Sequence, residues 1–193
     1  MLIRVAVLAD LAGCAGLDAD SQTHHVWQMD ERRENEHISL RFQRVRLPRV
    51  MRVAYPRDRD DLVTCWENGS TVLVATNRPM PREDDLLVQG DEPEPLPRIF
   101  GYCQLDLAPW QNTAWITHLI VDRRLRRRTV GSALMTAAVA WGRRKGLDRL
   151  MVAVQTKNYP AIAFCEKHGL AFCGYNDHYF PNRDIAVFFT LKL

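Results

Sequence analysis

The sequence lacks a hydrophobic run that approaches the ~20 residues needed to cross a membrane, and it lacks a strong excess of either charge. We therefore expect no contact with a membrane, and a net charge of +3 gives little reason to expect a nucleic-acid partner. No CxxC pair occurs among the five cysteines, whose odd number predicts reduced thiols in a cytoplasmic protein. His24 and His25 have no third ligand at a suitable spacing, so we predict no metal site.

A leader segment is a further feature that we do not expect. Residues 11–14, Leu-Ala-Gly-Cys, resemble a lipoprotein cleavage box. The apolar run before them contains Asp10, however, whereas a secretory leader has a charged start and then an uninterrupted apolar stretch. We interpret residues 3–8 as a first strand and residues 10–20 as a short helix or loop.

The composition is that of one globular domain: 193 residues, 47% hydrophobic and 25% charged. Two stretches depart from it. Residues 78–97 hold five prolines and six acidic residues, which predicts a long loop. Residues 21–36 are polar with a single aromatic anchor, Trp27, and we interpret them as a mobile surface segment.

Hydrophobic periodicity predicts a mixture of strands and helices. Alternation over residues 37–55 predicts one long strand, or two strands broken at Pro48, with one buried face and one arginine-rich face. We interpret that arginine-rich face as solvated, with a wall of an active-site cleft as the alternative. The other predicted strands cover residues 71–76, 99–107, 115–121, 150–154, 171–175 and 185–191, and two predicted helices cover residues 58–67 and 160–167.

A third helix is predicted by an apolar stripe at the spacing of helical turns. The stripe consists of Val130, Leu134, Ala138 and Trp141. Gly146 ends this helix. Since it connects the strands at residues 115–121 and 150–154, those two strands should be locally parallel.

The stretch that precedes this helix has the chemistry of a phosphate site. Residues 121–128 read Val-Asp-Arg-Arg-Leu-Arg-Arg-Arg, so an arginine-rich turn connects a strand to a helix N-terminus. The first-turn amides of a helix have no intrahelical acceptor, and the helix dipole adds partial positive charge. The small residues Gly131, Ser132 and Ala133 would let a phosphate approach the backbone. The local chemistry therefore predicts pyrophosphate binding.

Two motifs carry a resemblance to a known family. Residues 126–131, Arg-Arg-Arg-Thr-Val-Gly, resemble the acetyl-CoA-binding motif of the GNAT acetyltransferases, Arg/Gln-x-x-Gly-x-Gly/Ala. Residues 158–172 resemble the family's Asn-x-x-Ala-x-x-Phe-Tyr-Glu-Lys-x-Gly-Phe. The last hundred or so residues are most similar to the branch of streptothricin and ribosomal-protein-alanine acetyltransferases. Two motifs in the right order are much more specific than one.

The resemblance implies the GNAT fold, an α/β protein of the α+β type. Its mixed, mostly antiparallel sheet has roughly six or seven strands, is splayed between two central parallel strands, and is flanked by about four helices. It also implies a single domain over residues 1–193 with a cofactor-binding core at residues 99–175. Acetyl-CoA, the co-substrate, would lie in the splay. The implied cofactor-binding residues are Leu119, Ile120, Val121, Arg126, Arg127, Arg128, Thr129, Val130, Gly131, Ser132, Asn158, Ala161 and Phe164.

The implied reaction is direct attack of a primary amine on the thioester. Such an amine, with a pKa of about 10.4, must lose a proton, and the departing thiolate must gain one. Three positions depart from the family pattern. Thr129 stands where glycine is usual, Thr117 where many relatives place a glutamate base, and Cys165 where a tyrosine donates the proton.

Candidates for the missing acid and base lie close to these positions. His118 is the nearest titratable group to the missing base, with a packed histidine as the alternative interpretation. Cys165 either donates the proton or is a small buried residue of a helix. The phenols of Tyr159, Tyr175 and Tyr179 lie close in sequence.

Three functional hypotheses follow. The first is an acetyl-CoA-dependent N-acetyltransferase whose acceptor amine, on a small molecule or a protein, is unidentified. The second is a non-catalytic acetyl-CoA-binding module, favoured by the departures at Thr117 and Cys165. The third, a nucleic-acid binder that uses the arginines of residues 123–128, is disfavoured by the modest net charge. The apolar strand at residues 185–191 would support a homodimer across a sheet edge.

Overall fold

The computed structural model describes residues 1–57, 62–79 and 97–193. These residues form nine strands and four α-helices. The strands are β1 (Leu2–Val5), β2 (Ser21–Glu34), β3 (His37–Val53), β4 (Thr71–Thr76), β5 (Ile99–Ala108), β6 (Thr113–Val121), β7 (Arg149–Gln155), β8 (Ala171–Asn176) and β9 (Ala186–Lys192). The helices are α1 (Leu8–Ala15), α2 (Leu62–Glu67), α3 (Val130–Arg144) and α4 (Tyr159–Lys167).

Seven strands form one mixed, mostly antiparallel sheet in the order β1-β4-β5-β6-β7-β9-β8. The pairs β1–β4, β4–β5, β5–β6 and β8–β9 are antiparallel. The predicted fold class is therefore confirmed. β2 and β3 form a separate two-stranded sheet, which we call the ribbon.

The chain divides into two compact units. The first comprises Met1–Ala19, Asp58–Met151 and Lys192–Leu193, and the second comprises Asp20–Arg57 and Val152–Leu191. The first unit contains β1, β4, β5, β6 and α3, while the second contains the ribbon, α4, β8 and β9.

In the first unit, α3 packs on β4, β5 and β6 through the predicted stripe. All four stripe residues are buried: Val130, Leu134, Ala138 and Trp141. Gly101 in β5 permits a close approach, because a Cβ there would lie 2.7 Å from the carbonyl oxygen of Ile120 and 3.3 Å from Leu134 Cδ1. The absence of a side chain at Gly101 thus lets β6 and Leu134 of α3 both pack closely against β5.

In the second unit, the ribbon corrects the interpretation of residues 21–36, which are not a mobile segment. Ser21–Glu34 forms β2 and pairs with β3 from Ser21↔Val53 to Glu34↔His37. Asn35, with φ at 50°, reverses the chain between the strands. Pairing with β3 orders a stretch whose polarity alone favoured a loop, because backbone hydrogen bonds do not depend on side-chain hydrophobicity.

The long-strand alternative for residues 37–55 is confirmed, since β3 continues through Pro48. The β2–β3 register shifts between Thr23 and His25, whose partners are Met51 and Arg46. Pro48 lies within this irregularity, where a residue without an N–H interrupts the ladder least.

The predicted buried face of β3 is wrong at its hairpin end, where Ile38 is 67% exposed. Trp27 and Phe42, in the middle of the ribbon, pack against Phe172, and Trp27 also packs against Phe189. Burial of the ribbon face is therefore local, because it depends on these ring contacts rather than on the strand pattern.

The final strand is not at a sheet edge. β9 lies between β7 and β8, and the edge strands are β1 and β8. The premise for a homodimer across β9 is therefore wrong. Ala186, Val187 and Phe189 are instead buried within the protein's own core.

The remaining predicted elements are confirmed to within a few residues, except where the prediction falls outside the described residues. These exceptions are residues 58–61 of the predicted helix at 58–67 and residues 80–96 of the predicted acidic loop. All five cysteines are described and have free thiols. In the described ranges, no helix is both long and apolar enough to cross a bilayer.

Candidate functional site

The arginine loop, residues 122–129, connects β6 to α3 in the first unit. Asp122 shapes its start, because the carboxylate accepts a hydrogen bond from the Arg124 N–H at 2.8 Å and the carbonyl accepts one from the Leu125 N–H at 2.8 Å. The result is a short 3-10 turn over Arg123–Leu125.

Further along the loop, the backbone is left-handed at two residues, Arg127 with φ at 64° and Thr129 with φ at 69°. Left-handed residues can direct neighbouring N–H groups toward one concave surface that binds anions. Thr129 also gives α3 no side-chain cap. The loop and the first turn of α3 therefore combine amide donors with the positive end of the helix dipole.

The backbone at Thr129 explains why glycine suits this position. A β-branched residue rarely adopts a positive φ, and holding one there costs about 1–3 kcal/mol. The Thr129 hydroxyl donates a hydrogen bond to the Arg128 carbonyl at 2.5 Å, so its proton is used within the loop.

The arginines of the loop have different roles. Arg126 donates through Nε to the Val121 carbonyl at 3.1 Å and through Nη2 to the Asp18 carbonyl, which ties the loop to the segment after α1. Arg127 and Arg128 are exposed. An open cavity of about 490 Å³ adjoins the loop and is lined by Gly16, Leu17, Asp18, Asp122, Arg123 and Arg124.

The two faces of β6 differ in burial just before the loop. Ile116, His118 and Ile120 are buried, whereas Thr117, Leu119 and Val121 are half-buried. His118 is 8% exposed, and its ring stacks 6.0 Å from the fully buried Tyr102. This placement favours the packed-histidine interpretation, because a general base must reach its substrate.

In the second unit, α4 begins with its own cap. The side-chain oxygen of Asn158 accepts a hydrogen bond from the Ala161 N–H at 3.3 Å, and the Asn158 carbonyl accepts one from Ile162 at 3.1 Å. Pro160 occupies the first turn, where a missing N–H is tolerated. Phe164 is half-buried, with its ring 4.4 Å from that of His168.

Cys165 lies on the buried side of α4 and is 3% exposed. Burial, assisted by the nearby Glu166 carboxylate, raises the pKa of its thiol to about 12. A free thiol has a pKa of about 8.5, so transfer of a proton from Cys165 to a thiolate would be thermodynamically unfavourable.

The three phenols each have an identified partner in the second unit. Tyr159 accepts a hydrogen bond from Arg44 Nη1 at 3.0 Å, and Tyr179 accepts one from Arg57 Nη2 at 3.2 Å. Tyr175 donates to Glu31 at 3.3 Å, and desolvation together with this carboxylate raises its pKa.

Comparison with known proteins identifies the family of the chain. The profile of the acetyltransferase (GNAT) family matches residues 49–170, which is more than half of the chain. The chain belongs to the GNAT acetyltransferase family. It is thus an N-acetyltransferase with acetyl-CoA as co-substrate, as the sequence motifs predict. No curated protein sequence is significantly similar to it.

Solved structures show the same fold. A nourseothricin acetyltransferase has a TM-score of 0.74 at 19% identity, with 99% of this chain and 97% of that one covered. A streptothricin acetyltransferase of Bacillus anthracis, solved with acetyl coenzyme A, has a TM-score of 0.70 at 20% identity, with 100% and 99% covered. The ribosomal-protein-S18-alanine N-acetyltransferase of Escherichia coli has a TM-score of 0.62 at 13% identity, with 99% and 92% covered.

Sequence reasoning missed the partner of Tyr159. Arg44 lies 115 residues earlier in the chain, so no local motif joins the two. One signal was present: Asn35 is a typical turn residue between two stretches that contain Trp27 and Phe42. A hairpin centred on Asn35 would have predicted the ribbon.

Proposed function

We propose that the arginine loop and the first turn of α3 bind the pyrophosphate of acetyl-CoA. The observation that carries this proposal is the uncapped start of α3 after two left-handed residues, Arg127 and Thr129. Amides of Val130, Gly131 and Ser132 are suited to donate to phosphate oxygens, and the exposed guanidinium groups of Arg127 and Arg128 add positive charge. Arg126 holds the loop in shape through its two backbone contacts.

The rest of the cofactor is proposed to contact both sequence motifs. Backbone groups of Leu119, Ile120 and Val121, which precede the loop, would pair with the pantetheine. Asn158 uses its side-chain oxygen as the cap of α4, and its amide NH2 is therefore the part suited to donate to the cofactor. Ala161 and Phe164 follow on α4 and would provide apolar contact.

The proposed reaction is transfer of the acetyl group to a primary amine by direct attack. Acetyl-CoA supplies the activated thioester. A backbone N–H near Leu119 or Ile120 would stabilise the developing oxyanion. His118 and Cys165 are the candidates for base and acid that the sequence offers. The burial of His118 and the raised pKa of Cys165 both favour a route in which solvent carries these protons.

Two measurements test the proposal. Acetyl-CoA should raise the melting temperature of the protein, because a ligand that binds only the folded state stabilises it. Release of free thiol should then appear with at least one member of an amine panel. The absence of a melting shift at millimolar acetyl-CoA would contradict the proposed site.

Cys165→Ala tests the acid. A working general acid contributes about 10²–10⁴-fold, so a kcat within about threefold of the wild type would exclude Cys165 from that role. Cys165→Ser, which keeps a proton donor of similar size, is the matched control.

A further inference from the structure

One face of the ribbon is positively charged next to the start of α4. Arg44 pairs across the ribbon with Trp27, and Arg46 pairs with His25. Directly opposed residues share a face, and residues two apart on a strand share it as well. His25, Arg44 and Arg46 therefore belong to one end of a face that also carries Trp27 and Phe42, and we call this end the basic face.

The basic face contacts α4 through Tyr159. The Tyr159 hydroxyl accepts a hydrogen bond from Arg44 Nη1 at 3.0 Å, and the Arg44 guanidinium carbon lies 5.7 Å from the centre of the Tyr159 ring. The His25 ring lies 5.4 Å from the same ring. Tyr159 directly follows Asn158, so the basic face reaches the start of α4.

The ribbon as a whole carries more arginines than carboxylates. Residues 21–53 contain seven arginines and four acidic residues. Arg32, Arg33 and Arg52 form ion pairs with Asp30, Glu31 and Asp20. Arg44 and Arg46, in contrast, form no ion pair within 4.0 Å with any carboxylate of residues 1–57, 62–79 or 97–193. The Glu166 carboxylate of α4 acts electrostatically on Arg44 but does not pair with it. Arg44 is oriented by a neutral phenol that takes only one of its five N–H donors.

We propose that the basic face binds a carboxylate of the acceptor, so that the acceptor is an amine whose own molecule carries a carboxylate. Guanidinium groups bind carboxylates through paired, charge-assisted hydrogen bonds, and Tyr159 holds Arg44 ready for such a bond. A polycationic acceptor would be repelled. The inference rests on the proposed function, because that proposal makes Asn158, the residue before Tyr159, a contact of the cofactor.

The test compares ligands that differ only in a carboxylate. One pair is a free aminocarboxylate and its carboxamide, and the other is a short peptide with either Glu or Gln at one position. Binding is measured by calorimetry on the full chain saturated with CoA, so that no turnover is needed. In at least one pair the carboxylate member should bind at least about tenfold more tightly, as expected for hydrogen bonds to charged groups. The pair that responds shows whether the acceptor is a small molecule or a peptide.

Substitutions locate the effect. Arg46→Gln should remove the carboxylate preference and, in turnover with acetyl-CoA, raise KM while kcat is kept. Arg41→Gln is the matched control, since residue 41 is also exposed but belongs to the opposite face of the same strand. It should keep the preference.

Two results would overturn the proposal. Equal binding of both members of both pairs by the wild type excludes a carboxylate site, and an equal loss in Arg41→Gln and Arg46→Gln reduces the effect to general charge. Either result leaves the acetyl-CoA melting shift untouched. Loss of that shift in the wild type would instead contradict the proposed function.

Discussion

The two helices that follow the proposed cofactor motifs, α3 and α4, start in opposite ways. Asn158 caps α4 with its own side chain, whereas Thr129 gives α3 no side-chain cap and adopts a left-handed backbone. The α4 start is satisfied by the chain itself. The α3 start, where we propose that pyrophosphate binds, retains a strained residue. The proposed anion site therefore lies at the helix start that has no side-chain cap.

The largest effect is expected from a substitution that blocks the start of α3. In Gly131→Trp, the indole would occupy the space in front of the first-turn amides, and we expect the acetyl-CoA melting shift to disappear. Thr136→Trp places the same bulk at an exposed position further along α3 and serves as the control. A normal shift in Gly131→Trp would show that the pyrophosphate binds elsewhere.

Relief of strain at the α3 start is the next effect in size. Thr129→Gly should raise the free energy of unfolding by roughly 1–2 kcal/mol, because glycine adopts a positive φ without the steric cost of a Cβ. Urea unfolding without cofactor measures it, and acetyl-CoA affinity should be kept. If the variant is less stable than the wild type, the hydroxyl contact with Arg128 outweighs the strain.

Removal of the α4 cap should have a comparable or smaller effect of opposite sign. Asn158→Ala should lower the free energy of unfolding by about 1 kcal/mol, since the Ala161 N–H loses its side-chain acceptor. Asn158→Asp retains an acceptor at this position and is the control. No change in stability would mean that the cap contributes nothing, and the contrast with α3 would fail.

The remaining effect concerns pH, to which α4 contributes a buried thiol and α3 contributes none. The folded-state pKa of Cys165 is raised from 9.0 to about 12, so its stabilisation is complete below pH 9. Between pH 9 and 12 the unfolded thiol ionises while the folded one does not, and stability falls. Cys165→Ala should reduce this fall in urea titrations at pH 8 and 10. An equal fall in the free energy of unfolding from pH 8 to pH 10 in the variant and the wild type would contradict the raised pKa.

Much of the fold could be predicted because its signals are local. The α3 stripe, Gly146 after α3, and Pro160 in the first turn of α4 each act within a few residues of the position that they mark. The ribbon had one local signal, the turn residue Asn35, but its packing had none. Its stability depends on cross-strand pairing and on rings such as Trp27 and Phe172, which are 145 residues apart. The order of β9 and β8 in the sheet is likewise a long-range property.

The candidate site likewise has features with local signals and features that depend on long-range packing. An arginine-rich turn before a helix N-terminus predicts phosphate chemistry at residues 126–131 from neighbouring atoms alone, and this stays a prediction. Only the tertiary structure placed His118 against Tyr102, raised the pKa of Cys165 and joined Arg44 to Tyr159. Burial and side-chain contacts depend on which distant segments pack together, and that is decided only when the whole chain has folded.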